Sequence, residues 1–463
     1  MQITLQNTEK GQCYAVRFDR YRQQVVDKLK TAVSVRWWDK STGAWMIPAN
    51  NKCKAELDQL TYYVRHFEPV NWGGYESKTD EDIAYQIPNM PELDEDHGLK
   101  IQPYPYQLQG IARGLQLKRF INGDDMGLGK TLESIATINK ANAFPCLVIC
   151  PNVVKINWQR EWHKFTDKKA MVLTDSVRDS WPFFWQTGMN QVFIVNYESL
   201  RKYFVRRITK AEKWTLKDVE FHNTIKLFKS VIIDESHKVK STATQQTKFC
   251  KGIASGKEYI ILLTGTPVVN KPKDLVAQLG IMDRMIDMGG WKGFMLRYCS
   301  GPNQASNLKE LNYKLWQYCF FRREKSKVLT QLPDKVRQIV SCEITNRKEY
   351  MDAERDLIDY LKRYKEADDE KIQKSLKGEV MVRIGILKDI TARGKLKEVI
   401  DFVKDFRENG KKIILFCNLH EIVDRLMIAF PSAVCVTGRQ NMQEKQASVD
   451  AFQKNPKTDV IIC

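Results

Sequence analysis

The sequence predicts an α/β protein whose main body is a parallel sheet covered by helices on both faces. Four short apolar runs, rich in β-branched residues, occupy 146–150, 192–196, 230–234 and 259–263. Stretches with helical periodicity separate these runs, and parallel strands need crossover connections of that kind. At 463 residues the chain is also too long for one ordinary domain, so several domains are expected.

The charge balance favours a polyanionic partner. The 74 Lys and Arg residues exceed the 56 Asp and Glu residues, which leaves a formal net charge of +18 and a pI near 9.2. Apolar residues make up 43% of the chain and charged residues 28%, a balance typical of globular proteins. The positive excess indicates nucleic acid, before a membrane, as the partner.

Several classes of protein are not expected. No apolar run approaches the roughly 20 residues of a membrane-spanning helix, and the N-terminal MQITLQNTEK lacks the features of a secretory signal. Cys146 and Cys150 alternate along an apolar run, and the chain has no CxxC or HExxH. We therefore expect reduced core thiols and no zinc site. The location expected is cytoplasmic or nucleoid-associated in a prokaryote or virus, and nuclear in a eukaryote, without secretion.

Changes in pattern divide the chain into five predicted regions. They are a small α/β domain at 1–66, an acidic linker at 67–100, an α/β lobe at 101–285, a helical bridging region at 286–394 and the start of a second α/β lobe at 395–463. The last region contains apolar runs at 412–416, 433–436 and 459–463, which predict its strands.

The first two regions differ sharply in composition. The small domain alternates as a strand at 14–18 and predicts two strands around a turn at 35–48, with helical patterns at 21–30 and 52–64. Three prolines and a run of acids then predict a linker draped over the surface. The acids are Glu68, Glu76, Asp80, Glu81, Asp82, Glu92, Asp94, Glu95 and Asp96.

The strongest local signal is the segment GDDMGLGKTLESIA at 123–136. Its small residues let the backbone amides point at phosphate oxygens, and the following helix directs its positive N-terminus at the same place. Lys130 is expected to reach the β and γ phosphates, and Thr131 to hold Mg²⁺ through its hydroxyl. The candidate nucleotide-binding residues are Asp125, Met126, Gly127, Leu128, Gly129, Lys130 and Thr131. The first position of the strict motif holds Asp124 instead of glycine, and the alternative is a glycine-rich turn that caps a helix.

A second segment, VIIDESHK at 231–238, carries the candidate hydrolytic residues. Asp234 ends a buried strand, where it can hold Mg²⁺ through its water shell, and Glu235 is placed to polarise the attacking water. The carboxyl ends of parallel strands meet at one edge of a sheet, so this pair is expected beside the phosphate loop. The alternative for an isolated pair of this kind is a helix N-cap.

A third segment, YIILLTGTPVVN at 259–270, ends a strand in two threonines. Thr264 and Thr266 are expected at the same edge, where hydroxyls can sense the γ phosphate. Strand-end threonines that satisfy their own turn are the alternative.

Together these segments resemble a superfamily-two nucleic-acid motor, and more narrowly the Swi/Snf-type ATPases. Gln107 in PYPYQLQGI resembles the family's adenine-reading glutamine, and DDMGLGKT its phosphate loop, in which aspartate at the first position is normal. DESH at 234–237 is similar to the DExH box, and the segments 146–165, 192–200, 262–279, 320–333 and 412–426 are similar to later family signatures. The resemblance implies two RecA-like lobes, ATP with Mg²⁺, and His237, Thr264 and Thr266 as residues that couple hydrolysis to lobe movement.

Two details favour the annealing-helicase branch of that family. They are the serine of DESH and the segment RREKSKVLTQLP. That branch carries a HARP domain ahead of the motor, and 13–66 resembles a reduced form of it. Trp37, Trp38 and Trp45 lie around its turn, where one of them could form a wedge at a DNA fork.

The basic segment 201–230 is a candidate DNA contact. It holds nine bases against three acids, with Tyr203, Phe204, Trp214, Phe221 and Phe228 interleaved. We expect the charges to contact DNA and the aromatic residues to pack on the first lobe. The residues from Lys395 onward are expected to form an incomplete second lobe, without the family's later arginines.

The main hypothesis is an ATP-dependent double-stranded DNA translocase that acts on forked or branched DNA. Lys130, Asp234 and Glu235 are its expected catalytic residues. One alternative is a conventional strand-separating helicase or a restriction-type motor. Another is a non-hydrolysing DNA-binding module whose nucleotide site only sets conformation.

Overall fold

The protein forms two compact units in the computed structural model, Met1–Gln86 and Ile87–Cys463. The residues described are 1–8, 11–18, 22–64, 70–73, 85–92, 97–210, 212–268, 270–300, 304–333, 335–355, 379–408 and 410–463.

The N-terminal unit is a mixed five-stranded sheet with two helices. Its elements in chain order are β1 (Gln2–Thr8), β2 (Gly11–Arg17), α1 (Gln23–Ala32), β3 (Trp37–Asp39), β4 (Ala44–Pro48), α2 (Asn51–Val64) and β5 (Asn71–Gly73). The sheet order is β3-β4-β2-β1-β5, with β5 parallel to β1 and the other pairs antiparallel. The predicted strands and helices of this region are confirmed.

The boundary of this unit corrects the sequence-based division. Strand β5 lies in the region predicted to be linker, and the unit extends to Gln86 instead of ending at 66. The three residues of β5 are too few to give a periodic signal, and pairing with β1 makes them a strand. Of the nine linker acids, Glu92 is described and exposed, and the other eight lie outside the described residues.

The second unit is built on a seven-stranded sheet whose paired strands all run parallel. Its order is β14-β6-β13-β12-β7-β9-β8. The strands are β6 (Arg119–Asn122), β7 (Cys146–Cys150), β8 (Ala170–Val172), β9 (Val192–Asn196), β12 (Ser230–Asp234), β13 (Tyr259–Leu263) and β14 (Phe320–Phe321). A separate two-stranded ribbon consists of β10 (Val205–Ile208) and β11 (Val219–Phe221). The four predicted parallel strands are confirmed.

Helices cover both faces of this sheet, as its strand composition requires. Leu147 and Ile149 of β7 face one buried cluster, and Cys146, Val148 and Cys150 face the other. The helices are α3 (Pro105–Leu117), α4 (Lys130–Lys140), α5 (Lys155–Phe165), α6 (Trp181–Gln186), α7 (Leu200–Phe204), α8 (Gln245–Ala254), α9 (Leu275–Ile281), α10 (Gly290–Tyr298) and α11 (Leu308–Tyr318). Helices α3 to α5 pack on the second cluster and α7 to α11 on the first.

The two strand cysteines are core residues, as predicted. Cys146 and Cys150 are fully buried and form no disulfide. Burial raises the pKa of the Cys146 thiol to about 12 and also raises that of Cys150. Within the described residues, no group of three or more His, Cys, Asp or Glu side chains could hold a metal ion. No helix in this part of the chain is long and apolar enough to span a membrane.

Part of the region predicted as a helical bridge belongs to the large sheet. Strand β14 pairs with β6 and so belongs to the first lobe. Helices α12 (Lys325–Val328), α13 (Arg347–Arg355) and α14 (Glu379–Glu408) follow, and α14 runs past the predicted boundary at 394. A two-residue strand has no recognisable period, so its place in the sheet could not be predicted.

The last part of the chain forms a three-stranded parallel sheet of order β15-β17-β16. Its elements are β15 (Ile413–Leu415), α15 (His420–Ala429), β16 (Val434–Cys435), α16 (Met442–Lys454) and β17 (Val460–Ile462). All three strands lie within the predicted runs. Arg160 on α5 and Asp450 on α16 form a two-bonded ion pair, with N···O distances of 2.8 and 2.9 Å, which joins the two lobes.

Candidate nucleotide-binding site

The three predicted segments meet at one edge of the large sheet. Strands β6, β13 and β12 are adjacent and parallel, so the segments that follow them leave the same edge. These segments are the phosphate loop at 123–129, the threonine turn at 264–266 and the acidic segment at 234–237. Open α/β sheets bind their ligands at this edge.

The phosphate loop has the backbone that its glycines predict. Gly127 and Gly129 adopt φ angles of +86° and +87°, which side-chain-bearing residues rarely adopt, and α4 begins directly afterwards at Lys130. A Cβ atom on Gly129 would also lie 2.3 Å from Nε2 of Gln107. The loop therefore needs glycine at this position for both conformation and space.

Lys130 is a partly desolvated cation directed into the loop. Its Nζ donates to the backbone oxygens of Asp124 and Asp125, at 2.6 and 3.1 Å. Burial lowers the pKa of Lys130, against the opposing charges of Asp124, Glu235 and Asp234. An ammonium held by carbonyl oxygens is suited to exchange them for phosphate oxygens.

Asp234 is held by hydrogen bonds to both carboxylate oxygens. Its Oδ1 accepts the backbone N–H of Glu235, and its Oδ2 accepts the indole N–H of Trp158, each at 2.9 Å. The Tyr197 hydroxyl donates to the backbone oxygen of Asp234. Burial raises the pKa of Asp234, and the hydrogen bond from Trp158 opposes this shift. The hydrogen bonds thus orient the carboxylate, while burial disfavours its ionised form. A cation bound beside it would favour that form.

Glu235, His237, Thr264 and Thr266 form one connected group. His237 Nδ1 lies 3.2 Å from Oε2 of Glu235 and 3.3 Å from Oγ1 of Thr264. The backbone N–H of Thr266 donates to the same Thr264 hydroxyl at 3.1 Å. Glu235 adopts a left-handed φ of +51°, which is unfavourable for this residue type and typical of functional sites.

Gln107 is hydrogen-bonded to the backbone at both atoms of its amide. Its Oε1 accepts the Tyr104 N–H, and its Nε2 donates to the Leu128 backbone oxygen, both at 3.0 Å. The side chain is buried, so in this structure it supports the phosphate loop. Among the other loop residues, Leu128 is fully buried and Met126 is 71% exposed. The role of Leu128 at the site is therefore carried by its backbone.

Sequence reasoning missed a buried arginine behind the loop. Arg323, 8% exposed, donates to the carboxylates of Asp124 and Glu133, which are 0% and 2% exposed. Asn122 donates to Glu133 at 2.9 Å, and the Tyr106 backbone oxygen accepts from Arg323. One guanidinium cannot neutralise two buried carboxylates, so burial and the neighbouring Asp124 raise the pKa of Glu133 well above its usual range.

The backbone around Arg323 forms hydrogen bonds with the backbone of the phosphate loop. The backbone N–H groups of Gly123 and Asp125 donate to the oxygens of Phe321 and Arg323, at 2.8 and 3.1 Å. Asp125 also accepts from the Lys325 N–H and the Arg322 guanidinium, both at 3.0 Å, which lowers its pKa. The Asp at the first motif position is thus a buried ion-pair partner. The local sequence RREK did not reveal this, because the partners are about two hundred residues apart.

Trp158 is the second residue that was missed. It is fully buried on α5, and its N–H bond to Asp234 joins that helix to the acidic segment. Two residues later, Arg160 pairs with Asp450 of the second lobe. The position of Trp158 in a family-like segment was visible, but its partner was not.

The donor atoms at this edge fit Mg²⁺. Thr131 supplies a hydroxyl and Asp234 a carboxylate, and hard oxygen donors of this kind suit Mg²⁺ better than a thiophilic metal. Each oxygen of Asp234 accepts one described hydrogen bond and keeps a second lone pair for a metal-bound water. Thr131 and Asp234 are therefore the residues that would hold the ion.

Comparisons with known proteins bear on the family of this chain. The SNF2-related domain matches residues 42–398. The SWI/SNF-related matrix-associated actin-dependent regulator of chromatin subfamily A-like protein 1 of Xenopus tropicalis is 24% identical over 490 residues, covering 98% of this chain and 48% of that protein. The DNA annealing helicase and endonuclease ZRANB3 of Homo sapiens is 26% identical over 387 residues, covering 79% of this chain and 34% of that protein.

The chain thus spans less than half the length of either relative. A solved structure, the Sulfolobus solfataricus SWI2/SNF2 ATPase core in complex with dsDNA, is similar with a TM-score of 0.43 and 23% identity, covering 80% of each chain. The domain match includes more than half of the chain and contains all the site segments described above. The chain therefore belongs to the SNF2-related family, the Swi/Snf-type superfamily-two ATPases that its motifs resemble.

Proposed function

We propose that this protein is a DNA-dependent ATPase that translocates along duplex DNA. The observation that carries the proposal is the convergence of Lys130, Asp234 and Glu235 at one sheet edge, with each carboxylate acting electrostatically on the lysine. A phosphate-binding cation beside an oriented acidic pair is the arrangement that nucleoside triphosphate hydrolysis needs. The net charge of +18 supports a nucleic-acid partner.

The site residues divide the work of hydrolysis among them. The loop amides and Lys130 bind the phosphates, and Glu235 accepts a proton from the attacking water. Mg²⁺, when bound, supplies charge neutralisation of the phosphate oxygens, and Thr131 and Asp234 would hold it. The contact from Glu235 through His237 to Thr264 links this step to the next strand.

Phosphate release by the unaltered protein and by Glu235→Gln tests the proposal. Turnover should be stimulated by duplex DNA, and the variant should lose about 10²–10⁴-fold in turnover because its general base is gone, while it still binds ATP. Glu258→Gln is the control, since that exposed carboxylate pairs with Lys118 at 2.7 Å and directly precedes β13, at the opposite end of the strand from the site. Equal turnover in Glu235→Gln would contradict the role of Glu235 in hydrolysis. ATP binding without turnover on any DNA would contradict the proposal and favour a nucleotide-gated DNA-binding module.

We further propose that the N-terminal unit directs the motor to forked or branched DNA. Trp38 is 48% exposed at the β3–β4 hairpin, while Trp37 and Trp45 are partly buried against the core clusters. Its ring lies edge-on to that of Trp45, with centroids 5.5 Å apart, so the exposed indole is held in place. A fixed, exposed aromatic ring at a hairpin suits stacking on an unpaired base. That this unit is a reduced HARP domain stays a prediction.

Competition between forked and linear duplex tests this second step. Trp38→Ala should reduce the preference for the fork, because stacking on a base contributes about 1–3 kcal/mol. Tyr62→Ala removes another exposed aromatic ring, on α2, and should leave the preference unchanged. An unchanged preference in Trp38→Ala would contradict a role for Trp38 at the fork. Strand displacement from a single-stranded tail would favour a conventional helicase.

A further inference from the structure

A basic groove lies beside the nucleotide site and outside its three motif segments. It has a volume of about 410 Å³ and is formed by the turn that follows β9, helix α7 and strand β10. Its lining is Glu198, Arg201, Lys202, Val205, Arg206, Arg207 and Ile208. Four of these seven residues carry a positive charge and one carries a negative charge.

Two of the four cations in the groove form ion pairs with carboxylates, and the other two do not. Lys202 pairs with Asp175 at 2.7 Å, and Arg207 makes two 2.8 Å bonds to Glu220. The Glu198 carboxylate accepts the Asn196 side-chain amide at 2.7 Å. Arg201 and Arg206 are exposed, and among the described residues no carboxylate lies within 4.0 Å of either guanidinium.

The groove therefore offers two available guanidinium groups. A guanidinium binds phosphate through two parallel hydrogen bonds, and it is less strongly hydrated than an ammonium. The paired Lys202 and Arg207 hold the walls of the groove in position. Arg201 and Arg206 are left to meet an external anion.

The aromatic residues of the same segment are not available for stacking on bases. Tyr203, Phe204 and Phe228 are buried. The rings of Phe204 and Phe228 contact each other edge-on, with centroids 6.0 Å apart. Trp214 stacks on Phe249 at 5.6 Å, and Phe221 packs over Gly252. Single-strand sites combine positive charge with exposed rings, whereas backbone contacts on a duplex need the charge alone. This environment favours duplex DNA.

Tyr197 connects the groove to the acidic segment by a hydrogen bond. Tyr197 directly precedes Glu198 in the turn between β9 and α7, and its hydroxyl donates to the Asp234 backbone oxygen. Tyr197 is fully buried, so this contact is shielded from solvent. A ligand in the groove thus lies one buried side chain from the acidic segment.

We propose that this groove binds the phosphate backbone of duplex DNA through Arg201 and Arg206. The inference rests on the proposed function and deepens it, since it assigns a DNA contact outside the three segments of the nucleotide site.

The test is the salt dependence of duplex binding, followed by fluorescence anisotropy. Removing one arginine–phosphate ion pair should reduce the slope of log K against log salt by about 0.9, so Arg201→Ala/Arg206→Ala should reduce it by about 1.8. Arg201→Lys/Arg206→Lys keeps both charges and should keep most of the slope. Lys217→Ala/Lys226→Ala is the matched control, because both lysines are exposed on the same basic segment, 201–230, but do not line the groove.

The outcomes separate the groove from the function. If the unaltered protein binds duplex and Arg201→Ala/Arg206→Ala keeps the full slope, the groove assignment is wrong while the motor function stands. If the unaltered protein binds no duplex, both proposals fail. If the double variant loses binding of polyglutamate but not of duplex, the groove is a site for an acidic protein segment and the proposal is overturned. Thermal unfolding of each variant confirms that it is folded.

Discussion

Arginines in two regions of this molecule have opposite environments. Arg323 lies in the core behind the phosphate loop, between two carboxylates that are themselves buried. Arg201 and Arg206 lie on the surface of the basic groove, without a carboxylate partner among the described residues. The same side chain is therefore structural in one place and available for a ligand in the other.

The difference shows why burial and pairing, and not residue type, decide what a charge does. Removing one partner of a buried ion pair leaves an uncompensated charge in the interior, which costs about 3–5 kcal/mol. An exposed ion pair contributes about 0–1 kcal/mol, because water already solvates both charges. The following variants test this contrast.

Arg323→Met should have the largest effect on stability. It leaves Asp124 and Glu133 buried without their cation, so the free energy of unfolding should fall by about 3–5 kcal/mol. Denaturant titration measures this loss. Arg322→Met is the matched control, since its partner Asp125 is partly exposed, and it should cost about 0–1 kcal/mol. Equal losses in the two variants would show that burial does not govern the contrast.

Trp158→Phe should have the next largest effect. It removes the N–H donor to Asp234, and a hydrogen bond to a charged group contributes about 1.5–3 kcal/mol. Burial raises the pKa of Asp234, and the hydrogen bond from Trp158 lowers it. Without that bond, the pKa of Asp234 should therefore rise further. Since turnover needs the ionised carboxylate, the acid limb of the pH–rate profile should move to higher pH.

Trp162→Phe is the control for this measurement. Trp162 lies one turn further along α5 and is equally buried, but its indole N–H has no hydrogen-bond partner in the described part of the chain. Both variants create a similar cavity, so the difference between them reports the hydrogen bond. An acid limb that moves equally in both would contradict the role of Trp158.

Glu133→Gln should change how stability depends on pH. The folded-state pKa of Glu133 is raised above its unfolded value of 4.5, so its contribution to stability is present below that value and is lost as pH rises towards the folded pKa. Each unit of upward shift corresponds to about 1.4 kcal/mol. The stability of the unaltered protein should therefore fall relative to Glu133→Gln as pH rises above 4.5. A constant difference between the two curves would be inconsistent with a raised pKa.

Arg160→Ala should have the smallest effect on stability. The pair with Asp450 is about half exposed on the arginine side, so its loss should cost about 0–1 kcal/mol. Asp450→Ala should give the same value, and the double variant should show no further loss if the two residues act only on each other. A loss comparable to that of Arg323→Met would mean that lobe contact dominates the stability of this unit.

Much of the fold and of the nucleotide site could be predicted from the sequence. The strands at 146–150, 192–196, 230–234 and 259–263 are mostly apolar because both faces of the sheet are covered, and that pattern is local. The phosphate loop and the acidic segment were also found locally, because the backbone conformation and the chemistry belong to consecutive residues. The parallel order of the strands then brings them to one edge.

The tertiary structure decided what local patterns do not contain. Strands β5 and β14 are three and two residues long, and only pairing with β1 and β6 makes them strands. Gln107 resembles an adenine-reading residue in sequence, and only the fold shows that its amide bonds the backbone of Tyr104 and Leu128. The sequence by itself thus determined the chemistry that neighbouring residues carry. The partners of Arg323 and Trp158, which lie far along the chain, depend on the folded packing, because burial and pairing are properties of space and not of sequence order.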